Sequence, residues 1–191
     1  MTTNVPTSSP NPALPGLQPP AQHSIATDKC PDPRCVETNR LADQLERSFR
    51  GGAWHGPSVE EALDGVDAET AAARPVPNAH TIGELTGHIA FWLDGALRRM
   101  HGEAVTNVPE ETEFPRDAAK NAEAWKKTLA ALDSAHRRLH AAVLALDDEK
   151  LELAVAGSDP TVRGQILGTL QHNAYHAGQI VLLKKAARKG A

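Results

Sequence analysis

The sequence predicts an all-α protein, a four-helix bundle preceded by a proline-rich arm. Apolar residues recur at steps of three and four along four long segments, the spacing that gives a helix one buried face. Strand-like alternation is limited to one short fragment, and the sequence contains neither a glycine-rich phosphate loop nor a GxSxG motif. Long helices joined by turns pack naturally as a bundle with a site between facing helices.

The composition is that of a soluble globular protein. The chain has 191 residues, 40% of them hydrophobic, and a formal net charge of −4. This length suffices for one domain with a real core, and the charge gives no general attraction to nucleic acid or anionic membranes. No secretory leader pattern or membrane-spanning apolar run is present. We therefore expect a cytoplasmic protein with no nucleic-acid or membrane partner.

Residues 1–35 differ in character from the rest of the chain. They contain eight of the fourteen prolines and almost no periodic apolar residues. Such a segment buries too little surface to offset the entropy lost on ordering, so we predict a disordered arm and a bundle domain over residues 36–191. The two cysteines, Cys30 and Cys35, match neither a CxxC redox motif nor a disulfide framework. We interpret them as surface thiols in preference to a hairpin disulfide or an adventitious metal contact.

The first helix is predicted from Val36 to about Gly51, where two successive glycines end the periodic pattern. A Ser-x-x-Glu capping box beginning at Ser58 then predicts a short helix over residues 59–63. Residues 67–73 can add another helical turn before a connection that prolines keep extended.

The second long helix is predicted to begin at Thr81, which forms a capping box with Glu84, and to end near Met100. His88 lies on its buried face, so this imidazole is expected to point into the bundle. The other residues of that face are Ile82, Leu85, Ile89, Trp92, Leu93 and Ala96. We interpret the acidic segment 102–114 that follows as a solvated crossover loop.

The third helix, predicted over residues 117–146, has the most regular pattern in the chain. Its apolar stripe consists of Ala122, Trp125, Leu129, Leu132, His136, Leu139, Val143 and Leu146. The polar connector 147–159 contains a short apolar stretch, residues 151–155, that could be extended. The final helix is predicted to begin at Thr161.

The final helix carries two histidines, His172 and His176, that stand one turn apart on one face. Many structural helices have such a pair by chance, so a metal site requires a third ligand. The inward-facing His88 can supply it. Three nitrogen ligands with one position left open is the arrangement of a catalytic metal site, because structural zinc sites are closed by four protein ligands.

A second histidine pair, His136 and His140, has the same spacing in the sequence HRRLH. The intervening Arg137 and Arg138 would repel a cation. We therefore interpret His136 as a core histidine and His140 as a surface one. His55 lies in a turn, where it could line the mouth of a pocket, although the turn alone accounts for it.

Several short motifs point to one family. They are HNAYHAGQI from His172 to Ile180, His88 in GHI, the turn AWHGPS and the helix opening TIGEL. Together these motifs closely resemble the DinB/YfiT-like superfamily of metal-binding four-helix bundles. The resemblance covers about residues 36–187, and its most specific part is the motif on the last helix.

The resemblance implies a metal site formed by His88, His172 and His176, usually described in this family as zinc or nickel. Imidazole binds Zn, Ni, Cu and Fe alike, so the ligands alone do not identify the ion. Residues that contact the ligands or line the pocket are expected among Gln179, His55, His136 and Tyr175. Gln179 could orient a ligand, although a position on the helix surface explains it equally well.

Three functions are compatible with such a centre. Relatives include enzymes that use low-molecular-weight thiols, so a metal-stabilised thiolate could be transferred to an electrophilic small molecule. Others are metal-dependent hydrolases that would use a metal-bound water. Segment 170–183 contains no Asp or Glu to act as the base, so we prefer the transferase, although Glu84 or Asp94 could supply one from across the bundle.

The third function is that of a non-catalytic stress-response protein in which the metal only ties helices together. In that protein, loss of the metal would cost much of the folding free energy. We also expect a homodimer, because bundles with apolar faces left over often pair.

Overall fold

The computed structural model describes residues 33–158 and 160–189 of the chain. Seven α-helices lie in this part: α1 Val36–Arg50, α2 Val59–Leu63, α3 Ala68–Ala72, α4 Ile82–Met100, α5 Glu110–Glu113, α6 Ala122–Leu144 and α7 Val162–Lys189. Two 3-10 helices, Pro33–Cys35 and Asp148–Glu152, precede α1 and α7. The described residues form no β-sheet, only one antiparallel bridge between Ala154 and Thr161. The predicted all-α bundle is confirmed.

Helix α4 is the central element of the bundle. It packs against α6 and α7, and α1 packs against the same two helices from the other side of the core. Large side chains that are fully buried line these contacts: Leu45, Phe49, Ile89, Leu93, Leu139, Ile166 and Ile180. This packing places the buried face of α4, which carries His88, against the face of α7 that carries the histidine pair.

Side-chain caps define where the helices begin, and two of them were predicted from the sequence. Thr81 and Glu84 form the capping box of α4, and Ser58 and Glu61 form that of α2. Helix α6 begins later than predicted, because Asn121 accepts a hydrogen bond from the Ala124 N–H and residues 117–121 form turns before it.

One prediction near the helix ends is wrong in part and another is wrong outright. The apolar stretch 151–155, expected to be extended, begins inside the 3-10 helix Asp148–Glu152, where Leu151 is fully buried, but Leu153 is extended and Ala154 pairs with Thr161. Cys35 is not a surface thiol, since it is buried and disulfide-bonded where the chain enters α1. The predicted arm falls mostly on residues 1–32, and these, with Cys30, lie outside the described residues.

Helix α1 is capped by a residue from a distant part of the chain. The Asp148 carboxylate accepts hydrogen bonds from the Glu37 N–H (3.0 Å), the Thr38 N–H (2.8 Å) and the Thr38 hydroxyl (2.6 Å). The hydroxyl bond is the main reason why the pKa of Asp148 is lowered. This cap fixes the start of α1 against the segment that leads into α7.

Asp148→Asn is expected to lower the melting temperature at neutral pH, because an amide is a weaker acceptor for the N–H groups of a helix start. A carboxyl whose pKa is lowered by folding stabilises the fold above its unfolded pKa, about 3.9, and this contribution is lost as pH falls through the folded pKa. The difference in melting temperature between the native protein and the variant should therefore disappear as the pH falls. Circular dichroism melts across that range, with Asp117→Asn as an exposed control, measure it, and an unchanged gap would contradict the prediction.

Candidate metal centre

Three histidines from two helices meet in the bundle. The Nε2 atom of His172 on α7 lies between the other two. It is 2.9 Å from Nε2 of His88 on α4 and 3.1 Å from Nε2 of His176 on α7. One ring nitrogen from each residue falls within 4.8 Å of the others. In residues 33–158 and 160–189, no other group of His, Cys, Asp or Glu side chains has this arrangement.

The spacing of these nitrogens fits one shared ion. Two imidazole nitrogens that each lie about 2.0–2.1 Å from a common ion stand roughly 2.9–3.4 Å apart for ordinary coordination angles. Both observed separations fall in this range. Three imidazoles form a donor set for zinc, nickel, copper or iron, whereas calcium and magnesium prefer oxygen ligands.

The three imidazoles are neutral at physiological pH. Burial, reinforced by the neighbouring imidazoles, lowers the pKa of His88 to about 3 and that of His172 to about 4. Burial also lowers the pKa of His176. Neutral imidazoles have a free lone pair on one ring nitrogen, so the cluster is electrically suited to accept a cation.

Gln179 lies where it can orient one ligand. Its Oε1 atom is 2.7 Å from Nδ1 of His176. Because an amide oxygen only accepts hydrogen bonds, Nδ1 must carry the proton and the lone pair of Nε2 faces the cluster. Tyr175 packs edge-on against the His176 ring and is 64% exposed, so it lies at the outer rim of the centre.

The other two predicted pocket residues lie elsewhere. His136 is fully buried between α6 and α1, where its Nε2 donates to Glu46 at 2.8 Å and its ring stacks on Phe49. Burial lowers the pKa of His136, so it is a neutral core histidine. His55 is exposed in the turn between α1 and α2. The structure does not bring either residue into the three-histidine cluster.

The end of the acidic segment 102–114 folds over the centre, so the prediction of a solvated loop is wrong there. Phe114 stacks on the His88 ring at 4.1 Å, and His80 stacks on Phe114 at 3.8 Å. Glu113 accepts a hydrogen bond from the indole N–H of Trp92 at 2.7 Å. A sequence signal existed, since a tryptophan on a buried helix face needs a partner for its N–H.

A cleft of about 390 Å³ borders this ring stack. Its walls include His80, Phe114 and Arg116. On another wall Arg74 donates two hydrogen bonds to Glu84, at 2.8 and 3.0 Å. The volume is in the range of small-molecule sites, and the walls combine aromatic rings with charges of both signs.

Fold and site together define a class of protein, the helical bundles with a cluster of potential metal ligands between facing helices. The profile of the DinB superfamily matches residues 53–180, a range that contains all three histidines of the cluster. The chain belongs to the DinB superfamily. No curated protein matches it. Among the described helices, none has the length and apolar character needed to span a bilayer.

Proposed function

We propose that the protein binds one divalent ion, zinc or nickel, at the three-histidine centre and transfers a low-molecular-weight thiol to an electrophilic small molecule. The observation that carries the proposal is the convergence of three neutral imidazole nitrogens, 2.9 and 3.1 Å apart, to which the described part of the chain adds no fourth His, Cys, Asp or Glu ligand. A structural site would be closed by a fourth side chain.

When bound, a divalent ion would offer an open position and favour the thiolate form of a thiol placed there. His88, His172 and His176 would hold the ion, and Gln179 keeps His176 turned toward it. In the overall reaction the thiol loses its proton to solvent and its sulfur bonds to the electrophilic carbon. The group displaced from that carbon leaves with its bonding electron pair. None of the three histidines lines the neighbouring cleft, so the rest of a small substrate would have to extend past Phe114 to reach it.

The positions of the carboxylates favour thiol transfer over hydrolysis. No Asp or Glu among the described residues joins the three-histidine group. Glu113 approaches His88 from the Nδ1 side, behind the ring, and so cannot act as a base at the face where the Nε2 atoms meet. A thiol has a pKa near 8.5 and loses its proton readily beside a cation, whereas hydrolysis depends on a positioned base.

The test is a turnover assay on metal-loaded protein. A panel of small thiols is offered with monochlorobimane as electrophile, and p-nitrophenyl acetate without thiol serves as the hydrolytic substrate. We expect thiol-dependent conjugation, seen by mass spectrometry, that is lost in His172→Ala/His176→Ala. The variant His55→Ala/His140→Ala, which also lacks two histidines, should retain it.

Other outcomes identify the alternatives. Ester cleavage without thiol, lost in the same variant, would overturn transfer in favour of a metal-dependent hydrolase. No turnover of either kind, combined with a large fall in melting temperature when a chelator removes the ion, would indicate a structural metal in a non-catalytic protein.

A further inference from the structure

The Nδ1 atom of His88 has an unusual environment. The His88 side chain is only 6% exposed, and its buried Nδ1 atom makes no hydrogen bond of good geometry. Both parts of Glu113 face this ring: the side-chain Oε1 atom lies 3.5 Å from Nδ1, and a backbone hydrogen-bond contact from the same residue opposes the lowering of the His88 pKa by burial. A buried polar nitrogen without a close partner is costly, so the one carboxylate beside it requires an explanation.

Glu113 is held in this position by other side chains. Its Oε1 atom accepts the hydrogen bond from Trp92, which stands one turn after His88 on α4. The next residue, Phe114, stacks on the His88 ring with an angle of 7° between the planes. The carboxylate and the ring plane of His88 are therefore anchored by the same short segment.

We propose that Glu113 is a positioning residue of the metal centre, which keeps the proton of His88 on Nδ1 so that the Nε2 lone pair faces His172 and His176. A carboxylate accepts hydrogen bonds and donates none, so it favours only this tautomer. It also makes Nε2 a stronger donor to a cation, as carboxylates behind metal-bound histidines generally do. The inference rests on metal binding at the centre.

His176 has a comparable hydrogen-bond acceptor beside its Nδ1 atom. Gln179 accepts from Nδ1 of His176, and Glu113 faces Nδ1 of His88. Glu110 and Glu111 share the acidic turn with Glu113 but are exposed, whereas Glu113 is partly buried. Contact with solvent accounts for the charges of Glu110 and Glu111. It does not account for Glu113, which contacts the three-histidine centre instead.

The experiment compares Glu113→Gln with Glu111→Gln, which removes the same charge from the same turn. Zinc affinity is measured by competition with a chromophoric chelator. We expect Glu113→Gln to bind zinc about 10–100-fold more weakly and Glu111→Gln to bind as the native protein does. Trp92→Phe, which keeps a ring but frees the carboxylate, should weaken zinc binding to a smaller extent. It serves as the test variant if Glu113→Gln does not fold.

A second readout needs no metal. Two-bond ¹H–¹⁵N spectra of the metal-free protein report which ring nitrogen of His88 carries the proton. We expect Nδ1 in the native protein and a shift of the proton toward Nε2 in Glu113→Gln, because the amide can donate to Nδ1. Equal zinc affinity in the two Gln variants, or a native proton on Nε2, would overturn the inference. Absence of zinc binding in the native protein would instead overturn the proposed function.

Discussion

Replacing His172 and His176 with alanine is expected to abolish metal binding. The native protein, purified without a histidine tag, should contain about one equivalent of ion, held by three imidazoles. The double variant leaves only the buried imidazole of His88, which cannot hold an ion alone. Plasma mass spectrometry on both proteins measures the difference.

The control removes the same number of histidines from other places. His55→Ala/His140→Ala takes one residue from an exposed turn and one from the second pair of the same spacing. It should keep the native metal content. Equal metal in all three proteins, or none in the native one, would refute the three-histidine centre. Thermal melts with and without chelator then distinguish a catalytic ion from a structural one. Removal of a catalytic ion should lower the melting temperature only slightly, and removal of a structural ion should lower it greatly.

Gly87→Ala is expected to destabilise the protein by about 1–3 kcal/mol, the usual cost of overpacking. A Cβ atom at Gly87 would lie 2.4 Å from Cγ and 2.9 Å from Cδ of Pro115. Glycine therefore allows the chain after α5 to lie directly on α4. The added methyl group should push this segment away, and Phe114 with it. Urea unfolding measures the change in free energy.

Gly168→Ala is the matched control for this substitution. Gly168 lies within α7, and an added Cβ would meet nothing within 4 Å. Alanine favours a helix over glycine by up to about 1 kcal/mol, so this variant should be as stable as the native protein or more stable. If both variants shift the unfolding curve in the same direction, close packing at Pro115 is not the reason for glycine at position 87.

Much of the fold could be predicted because its causes are local. The spacing of apolar residues along α4, α6 and α7 depends only on the 3.6-residue turn, and the capping boxes at Ser58 and Thr81 involve residues three apart. The same holds for two members of the three-histidine cluster. His172 and His176 share a face of α7 in any helix of this sequence.

A local pattern cannot show which helices pack their buried faces against each other. His88 and His172 are 84 positions apart in the chain. The inward position of His88 made it a candidate third ligand and the family resemblance supported this, but its place opposite α7 is seen directly only in the packed bundle. His136 had an equally inward position, and packing against Glu46 made it a core residue.

The amino-acid sequence by itself determined the long helices, the capping boxes of α2 and α4 and the histidine pair, because these depend on interactions within one or two turns. Packing in three dimensions brought His88 to that pair, placed Glu113 and Phe114 against the His88 ring, and set Asp148 on the start of α1. The acidic segment was misjudged for this reason. Its charges indicated solvent. The inward-facing tryptophan signalled that its N–H needed a partner, but only the tertiary structure shows that Glu113 is this partner and that Glu113 also lies beside His88.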